Sequence, residues 1–181
     1  MRVISGTARG RKLKEPTGNS IRPTTDKIKE SIFNIVQFDI EGRRVLDLFA
    51  GTGQIGIEAL SRGARNVVFV DSATESVKLI RENLKICGFS DMAAVYARDA
   101  SRFLENDEKF DLVFIDPPYD SKLADTALKM ITKFDKININ GIIMLETKAD
   151  TPTPTVTLPY SLQKEYKYGN VKITRYARDP D

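Results

Sequence analysis

The stretch that most limits what this chain can fold into is Val45-Leu46-Asp47-Leu48-Phe49, which runs straight into Ala50-Gly51-Thr52-Gly53-Gln54-Ile55-Gly56. An apolar run of strand length gives way to glycines at G-x-G-x-x-G spacing and then to a helical pattern from Gln54 to Ser61. Glycines at such a turn let a ligand approach the backbone, and the helix N-terminus favours a negatively charged ligand group. From Arg43 onward short apolar runs alternate with amphipathic stretches. Strands are expected at Arg43 to Leu48, Asn66 to Val70, Met92 to Ala97, Phe110 to Ile115 and Gly141 to Glu146. Helices fall between them at Gln54 to Ser61, Thr74 to Ile86, Ala100 to Glu105 and Lys122 to Phe134. This alternation predicts βαβ units and an α/β fold with a mainly parallel sheet.

Nucleotide pyrophosphate and an amino-acid carboxylate would both satisfy the field at the glycine loop, so its acidic neighbours carry the choice. Asp71 ends the next strand, where a carboxylate can accept hydrogen bonds from ribose hydroxyls. Asp47 lies just before the loop. There it would repel a pyrophosphate but can receive the ammonium of a methionine moiety; the alternative is that it braces the glycine turn. Asp99 follows the third strand, placed either to meet an adenine amino group or to cap the helix near Ala100. Together these acids tilt the reading from a dinucleotide toward S-adenosylmethionine.

The fourth strand runs into Asp116-Pro117-Pro118-Tyr119, at the sheet edge where open α/β proteins bind ligands. A carboxylate, two prolines without N–H groups and an aromatic ring make a stiff, acceptor-rich platform with a stacking surface. It suits a planar ring carrying an exocyclic amino group. Ordinary turn chemistry closing a strand accounts for the tetrapeptide alone equally well.

Charge is distributed unevenly. The 181 residues carry a formal net charge of +3. Between Met1 and Lys29 eight basic residues (Arg2, Arg9, Arg11, Lys12, Lys14, Arg22, Lys27, Lys29) face two acids (Glu15, Asp26), a local +6 that leaves −3 for the remainder. A cationic segment on a mildly acidic body points to a polyanionic partner, nucleic acid being the usual one. Histidine is absent and Cys87 is the only cysteine. That removes Ser-His-Asp triads, most zinc sites and any disulfide framework, and no metal is expected. Neither a signal peptide nor a membrane span is apparent, so a cytoplasmic protein is expected.

Two segments frame the alternating core. Arg2 to Ser5 and Arg11 to Lys14 read as a basic hairpin whose basic residues extend from the body, followed by a helix entered through Arg22-Pro23-Thr24-Thr25-Asp26, with either threonine as cap. That helix carries Ile28, Ile32, Ile35 and Val36 on one face and Lys27, Lys29, Glu30 and Asn34 elsewhere. Residues 1–40 are thus expected to form an extension and residues 41–181 the main domain. Beyond a Thr-Pro connector at Thr151 to Pro154, runs from Leu162 to Tyr168 and Val171 to Tyr176 flank Gly169-Asn170 and predict a terminal antiparallel hairpin.

The glycine loop with Ile57-Glu58-Ala59-Leu60-Ser61-Arg62-Gly63-Ala64 resembles the first motif of class I methyltransferases in the form found in the RsmD family, which methylates guanine N2 in 16S ribosomal RNA. Met1-Arg2-Val3-Ile4-Ser5-Gly6, Arg9-Gly10-Arg11-Lys12-Leu13, Arg22-Pro23-Thr24-Thr25-Asp26 and Lys29-Glu30-Ser31-Ile32-Phe33-Asn34 are similar to that family's N-terminal signatures. The resemblance runs the length of the chain. One departure is Asp71, where the family often shows Glu. The resemblance implies a Rossmann-like sheet of seven strands with the last antiparallel, plus the N-terminal hairpin and helix. It implies S-adenosylmethionine held by Asp47, Gly51, Gly53, Asp71 and Asp99, with Asp116, Pro117, Pro118 and Tyr119 at the base. Arg2, Arg9, Arg11, Lys12, Lys14 and Arg22 would grip 16S ribosomal RNA, within a small subunit or its assembly intermediate. The rival readings are a DNA or RNA adenine-N6 methyltransferase, an NAD-dependent oxidoreductase and a non-catalytic RNA-binding scaffold.

Overall fold

In the computed structural model, which describes residues 1–16, 25–119 and 122–180, the elements follow in the order α1 (Asp26–Ile35), β1 (Arg44–Leu48), α2 (Gln54–Ser61), β2 (Asn66–Asp71), α3 (Thr74–Cys87), β3 (Ala93–Ala97), α4 (Ala100–Leu104), β4 (Phe110–Ile115), α5 (Leu123–Lys133), β5 (Ile137–Lys148), β6 (Tyr160–Tyr168) and β7 (Val171–Arg178). The sheet has seven strands in the order β3-β2-β1-β4-β5-β7-β6. Strands β1 to β5 pair in parallel, and β7 alone runs antiparallel to both of its neighbours. This is the seven-stranded Rossmann-like arrangement that the family resemblance implies. No helix among the described residues is long and apolar enough to cross a membrane.

The inner strands read as continuous apolar runs because both of their faces are covered. On one face Val45, Val67, Phe69, Leu112, Phe114, Ile142 and Met144 pack with side chains of α1, α2 and α3. On the other, Leu46, Leu48, Val68, Val70, Val113, Ile115, Ile143 and Leu145 meet Phe103 and Leu104 of α4 and Leu128 and Ile131 of α5. Strand β5 begins four residues earlier than its pattern suggested. A register shift against β4, with Asn140 at φ 61°, breaks the alternation there.

The N-terminal segment pairs as expected and in addition packs its apolar side chains into the body. The hairpin closes through Val3 N to the Arg11 carbonyl at 3.0 Å, Gly10 N to the Val3 carbonyl at 2.9 Å and Leu13 N to the Met1 carbonyl at 3.1 Å, around the bridge Arg2 to Lys12, and Arg2, Arg9, Arg11, Lys12 and Lys14 are exposed. Val3, Ala8 and Leu13 are buried in the same core as the sheet, because α2 supplies what the backbone needs. The Glu58 carboxylate accepts from the Ile4 and Ser5 N–H groups at 2.8 and 2.9 Å and from Arg62 Nε at 2.8 Å. Gly6, at φ 82°, comes so close to α2 that a Cβ would sit 1.7 Å from the Ser61 carbonyl oxygen. Helix α1 is capped by Thr25, whose hydroxyl accepts from Ile28 N, and its apolar face gains Phe33. Arg22, Pro23 and Thr24 lie outside the described residues.

Lys29, expected on the polar face of α1, is 0% exposed. Its Nζ donates to the Arg2 carbonyl at 2.6 Å and lies 3.9 Å from Glu58. Burial pushes its pKa down, and Glu58 and Asp26 oppose that shift. Glu58 therefore ties three elements together. Replacing it by Ala should lower unfolding stability by roughly 3 to 5 kcal/mol, because Lys29 and Arg62 lose a buried counter-charge. A urea titration checks this, and a loss below about 1 kcal/mol, as for a typical surface pair, would contradict it.

Candidate active site

Four neighbouring strands carry a carboxylate within or just beyond their C-terminal ends, on the same face. Side chains alternate across a sheet with period two. On the face covered by α1, α2 and α3, Val45 is therefore followed by Asp47, Phe69 by Asp71, Phe114 by Asp116 and Met144 by Glu146. The registers Asp47 to Phe69, Asp47 to Phe114 and Phe114 to Met144 set these rows side by side. Each row is apolar until it reaches the carboxyl edge of the sheet.

Above that edge lies a cavity of about 950 Å³. Its described walls bring together Asp47, Gly51, Asp71, Asp99, Asp116, Pro117, Pro118 and Tyr119 from the expected site. Thr25, which caps α1, and Ile28 within it also line the cavity, as do Asn170 and Val171 at the β6–β7 turn. Among the described lining residues, six carboxylates (Asp47, Asp71, Asp99, Asp116, Glu146, Asp150) accompany two cations, Arg98 and Lys148. A pyrophosphate would meet net negative charge here, whereas ammonium, sulfonium and hydroxyl groups would be stabilised. The donor set thus fits S-adenosylmethionine better than a dinucleotide.

The acids are held by the loops they face. Asp47 accepts from Gly56 N at 2.9 Å, so bracing of the glycine turn is realised, while the residue still lines the cavity. It is 2% exposed, and burial raises its pKa to about 8 despite the Gly56 hydrogen bond, with Asp116 and Asp71 adding repulsion. Asp71 accepts from Gly51 N at 2.8 Å and from Ala73 N at 2.9 Å. Asp99 caps α4, accepting from Ser101 N at 2.9 Å, and also faces the cavity. Gly53 does not line it. As the left-handed residue at the entrance to α2 (φ 77°), it shapes the turn, with Ile80 3.0 Å from where a Cβ would stand. Gly56 packs on Phe69, which leaves no room for a side chain.

Two features escaped the sequence. Tyr119 donates its hydroxyl to Glu146 Oε1 at 2.5 Å, linking the turn after β4 to β5. Glu146 is 7% exposed, and the apolar row interrupted by a carboxylate was the signal for it. Phe49 lines the cavity in a left-handed conformation, φ 67°, which is uncommon for a bulky residue and concentrates at functional sites.

The expected RNA-binding cations are partly committed to the fold. Arg2 pairs with Asp26 at 3.4 Å, Lys14 with Glu82 at 2.8 Å, and Arg11 donates to the Ile86 carbonyl at 2.8 Å. Arg9 and Lys12 are exposed and, among the described residues, form no ion pair. Arg22 lies outside the described residues.

The sequence matches the family described as "Conserved hypothetical protein 95" over residues 1–177. A Bacillus subtilis (strain 168) protein named "Putative rRNA methyltransferase YlbH" is 38% identical, over 98% of this chain and 99% of its own. The Haemophilus influenzae protein named "Ribosomal RNA small subunit methyltransferase D" is 35% identical over 97% of this chain and 93% of its own. The solved structure described as "Putative methyltransferase yhhF from Escherichia coli" superposes with a TM-score of 0.90 at 30% identity, covering 99% of this chain and 98% of that one.

The raised pKa of Asp47 has a sign that binding can test. Below about pH 8 the carboxyl is largely protonated, and a cationic ligand group beside it must displace that proton. S-adenosylhomocysteine, whose ammonium would sit there, should bind more tightly as pH rises from 6 to 8, by up to about tenfold per unit, with proton release. Calorimetry in buffers of different ionisation enthalpy reads both quantities. Asp47→Asn should remove the proton release, and unchanged release in that variant would contradict the assignment.

Proposed function

The chain belongs to the conserved hypothetical protein 95 family, the RsmD family, and from that premise we propose that it transfers a methyl group from S-adenosylmethionine to the exocyclic N2 of a guanine in small-subunit (16S) ribosomal RNA. The observation that carries the reading is the Asp116-to-Tyr119 platform facing Asp47, Asp71 and the glycine loop across one acidic cavity. The names of the relatives supply the ribosomal RNA substrate. In this reading residues 41–181 are the methyltransferase domain and residues 1–40 its RNA-facing extension.

Asp47 receives the cofactor's ammonium, Asp71 its ribose hydroxyls and Asp99 its adenine amino group, while the loop at Gly51 gives the backbone room to approach. When bound, S-adenosylmethionine supplies an electrophilic methyl group on a sulfonium. A guanine amino nitrogen is a weak nucleophile because its lone pair is delocalised into the ring. Asp116 and the Pro117 carbonyl each accept one N2–H, which turns the lone pair toward the methyl donor. Tyr119 stacks on the extruded base, a contact worth about 1 to 3 kcal/mol in similar settings. The N–CH₃ bond forms as the S–CH₃ bond breaks, and the amino proton passes to Asp116 or water. Positioning at roughly 3 to 3.5 Å is the main demand of such a displacement, so the chemistry asks for neither metal nor histidine.

Arg9 and Lys12 supply phosphate contacts. Replacing both by Ala should weaken RNA binding and lower the slope of log K against log salt by roughly 1.5 to 2. An unchanged slope would refute the contact. Asp116→Ala should abolish transfer with cofactor affinity nearly intact, and normal turnover would sink the assignment. Labelled S-adenosylmethionine, offered with immature subunits, assembled subunits, naked RNA and DNA, identifies the product. N2-methylguanine is expected, and N6-methyladenine would overturn the choice of base.

A further inference from the structure

We infer that Glu146 selects the base, accepting the ring N1–H of guanine while Asp116 holds the neighbouring amino group. The inference rests on the reading above and adds a residue that reads more than the amino group. Strands β4 and β5 are parallel, and their register ends at Ile115 paired with Leu145. Glu146 is the next residue along β5 and Asp116 the first beyond β4, each two residues past an inward side chain of the same sheet face, where neighbouring strands lie about 4.8 Å apart. Both line the cavity. The Tyr119 hydroxyl, 2.5 Å from Glu146 Oε1, fixes the carboxylate relative to the ring on which the base stacks. An ionised carboxylate has about four acceptor positions, so it can hold Tyr119 and take a second donor.

The chemistry of the bases makes this arrangement selective. In guanine the reacting amino group is flanked on one side by N1–H, a donor, and on the other by N3, an acceptor. In adenine and cytosine the ring nitrogen beside the amino group is an acceptor. When Asp116 engages the amino group, the adjacent acceptor on the same wall meets that ring nitrogen. A carboxylate there completes a hydrogen bond with guanine and opposes a lone pair in the other two bases. Rejection of this kind is strong because the mismatched partner leaves buried polar groups unpaired.

2-Aminopurine separates the two parts of the recognition, since it keeps the 2-amino group but presents N1 as an acceptor. Small subunits are reconstituted with guanine or 2-aminopurine at the modified position, and single-turnover transfer is measured. The wild type should prefer guanine by at least about tenfold, the scale of one hydrogen bond to a charged group. Glu146→Gln, whose amide can donate to N1, should slow transfer to guanine and narrow or invert that ratio. Tyr119→Phe keeps the stacking ring but releases Glu146, and should narrow the ratio part of the way. Equal losses on both substrates in Glu146→Gln, as a purely structural role would give, overturn the inference and leave the parent reading intact. A wild type that prefers 2-aminopurine or treats both bases alike overturns it too. A wild type that modifies no guanine overturns both.

Discussion

The structure depends on concentrating carboxylates at one edge of a parallel sheet without letting their repulsion open it. Asp47, Asp71, Asp116 and Glu146 end adjacent rows of one face, and like charges so placed cost free energy when they lose water. Backbone donors offset part of that cost. Gly51 and Gly56 give their N–H groups to Asp71 and Asp47, so the glycine loop is built onto the acids it accompanies. Asp47 absorbs the rest by holding a proton up to about pH 8. The cavity is thereby poised for a cation, which would replace that proton, and the loop geometry and the electrostatics of the site have one cause.

A second carboxylate organises the molecule on the far side of α2. Glu58 is buried with its oxygens directed at backbone N–H groups of the N-terminal segment, at Arg62 and toward Lys29. Because Arg62 also lies over the Phe33 ring, the same group fixes α1, and α1 in turn brings Thr25 and Ile28 to the cavity wall. The segment proposed to meet RNA is thus coupled mechanically to the helix that follows the glycine loop.

Much of this was legible in the residues. The strands announced themselves because burial on both faces demands unbroken apolar runs, and α2 matched its pattern from Gln54 to Ser61 because the glycine turn sets its start. The acids at 47, 71, 99 and 116 were visible because each interrupts or follows such a run. Glu146 was hidden by the same logic, since a carboxylate closing a long apolar stretch reads as a strand end until register sets it beside Asp116. Lys29 was misplaced for a different reason. Its partners, the Arg2 carbonyl and Glu58, are distant in sequence, and local periodicity carries no information about them. Phe49 could not be read at all, because nothing in its neighbours dictates a left-handed bulky residue.

The central claim is that this acidic edge is a site for S-adenosylmethionine rather than for a pyrophosphate-bearing cofactor. A calorimetric titration of the chain with S-adenosylmethionine and, separately, with NAD tests it most directly. Saturable one-to-one binding of S-adenosylmethionine, with no heat from NAD, is the predicted result. Binding of NAD, with S-adenosylmethionine inert, would contradict the account at its base.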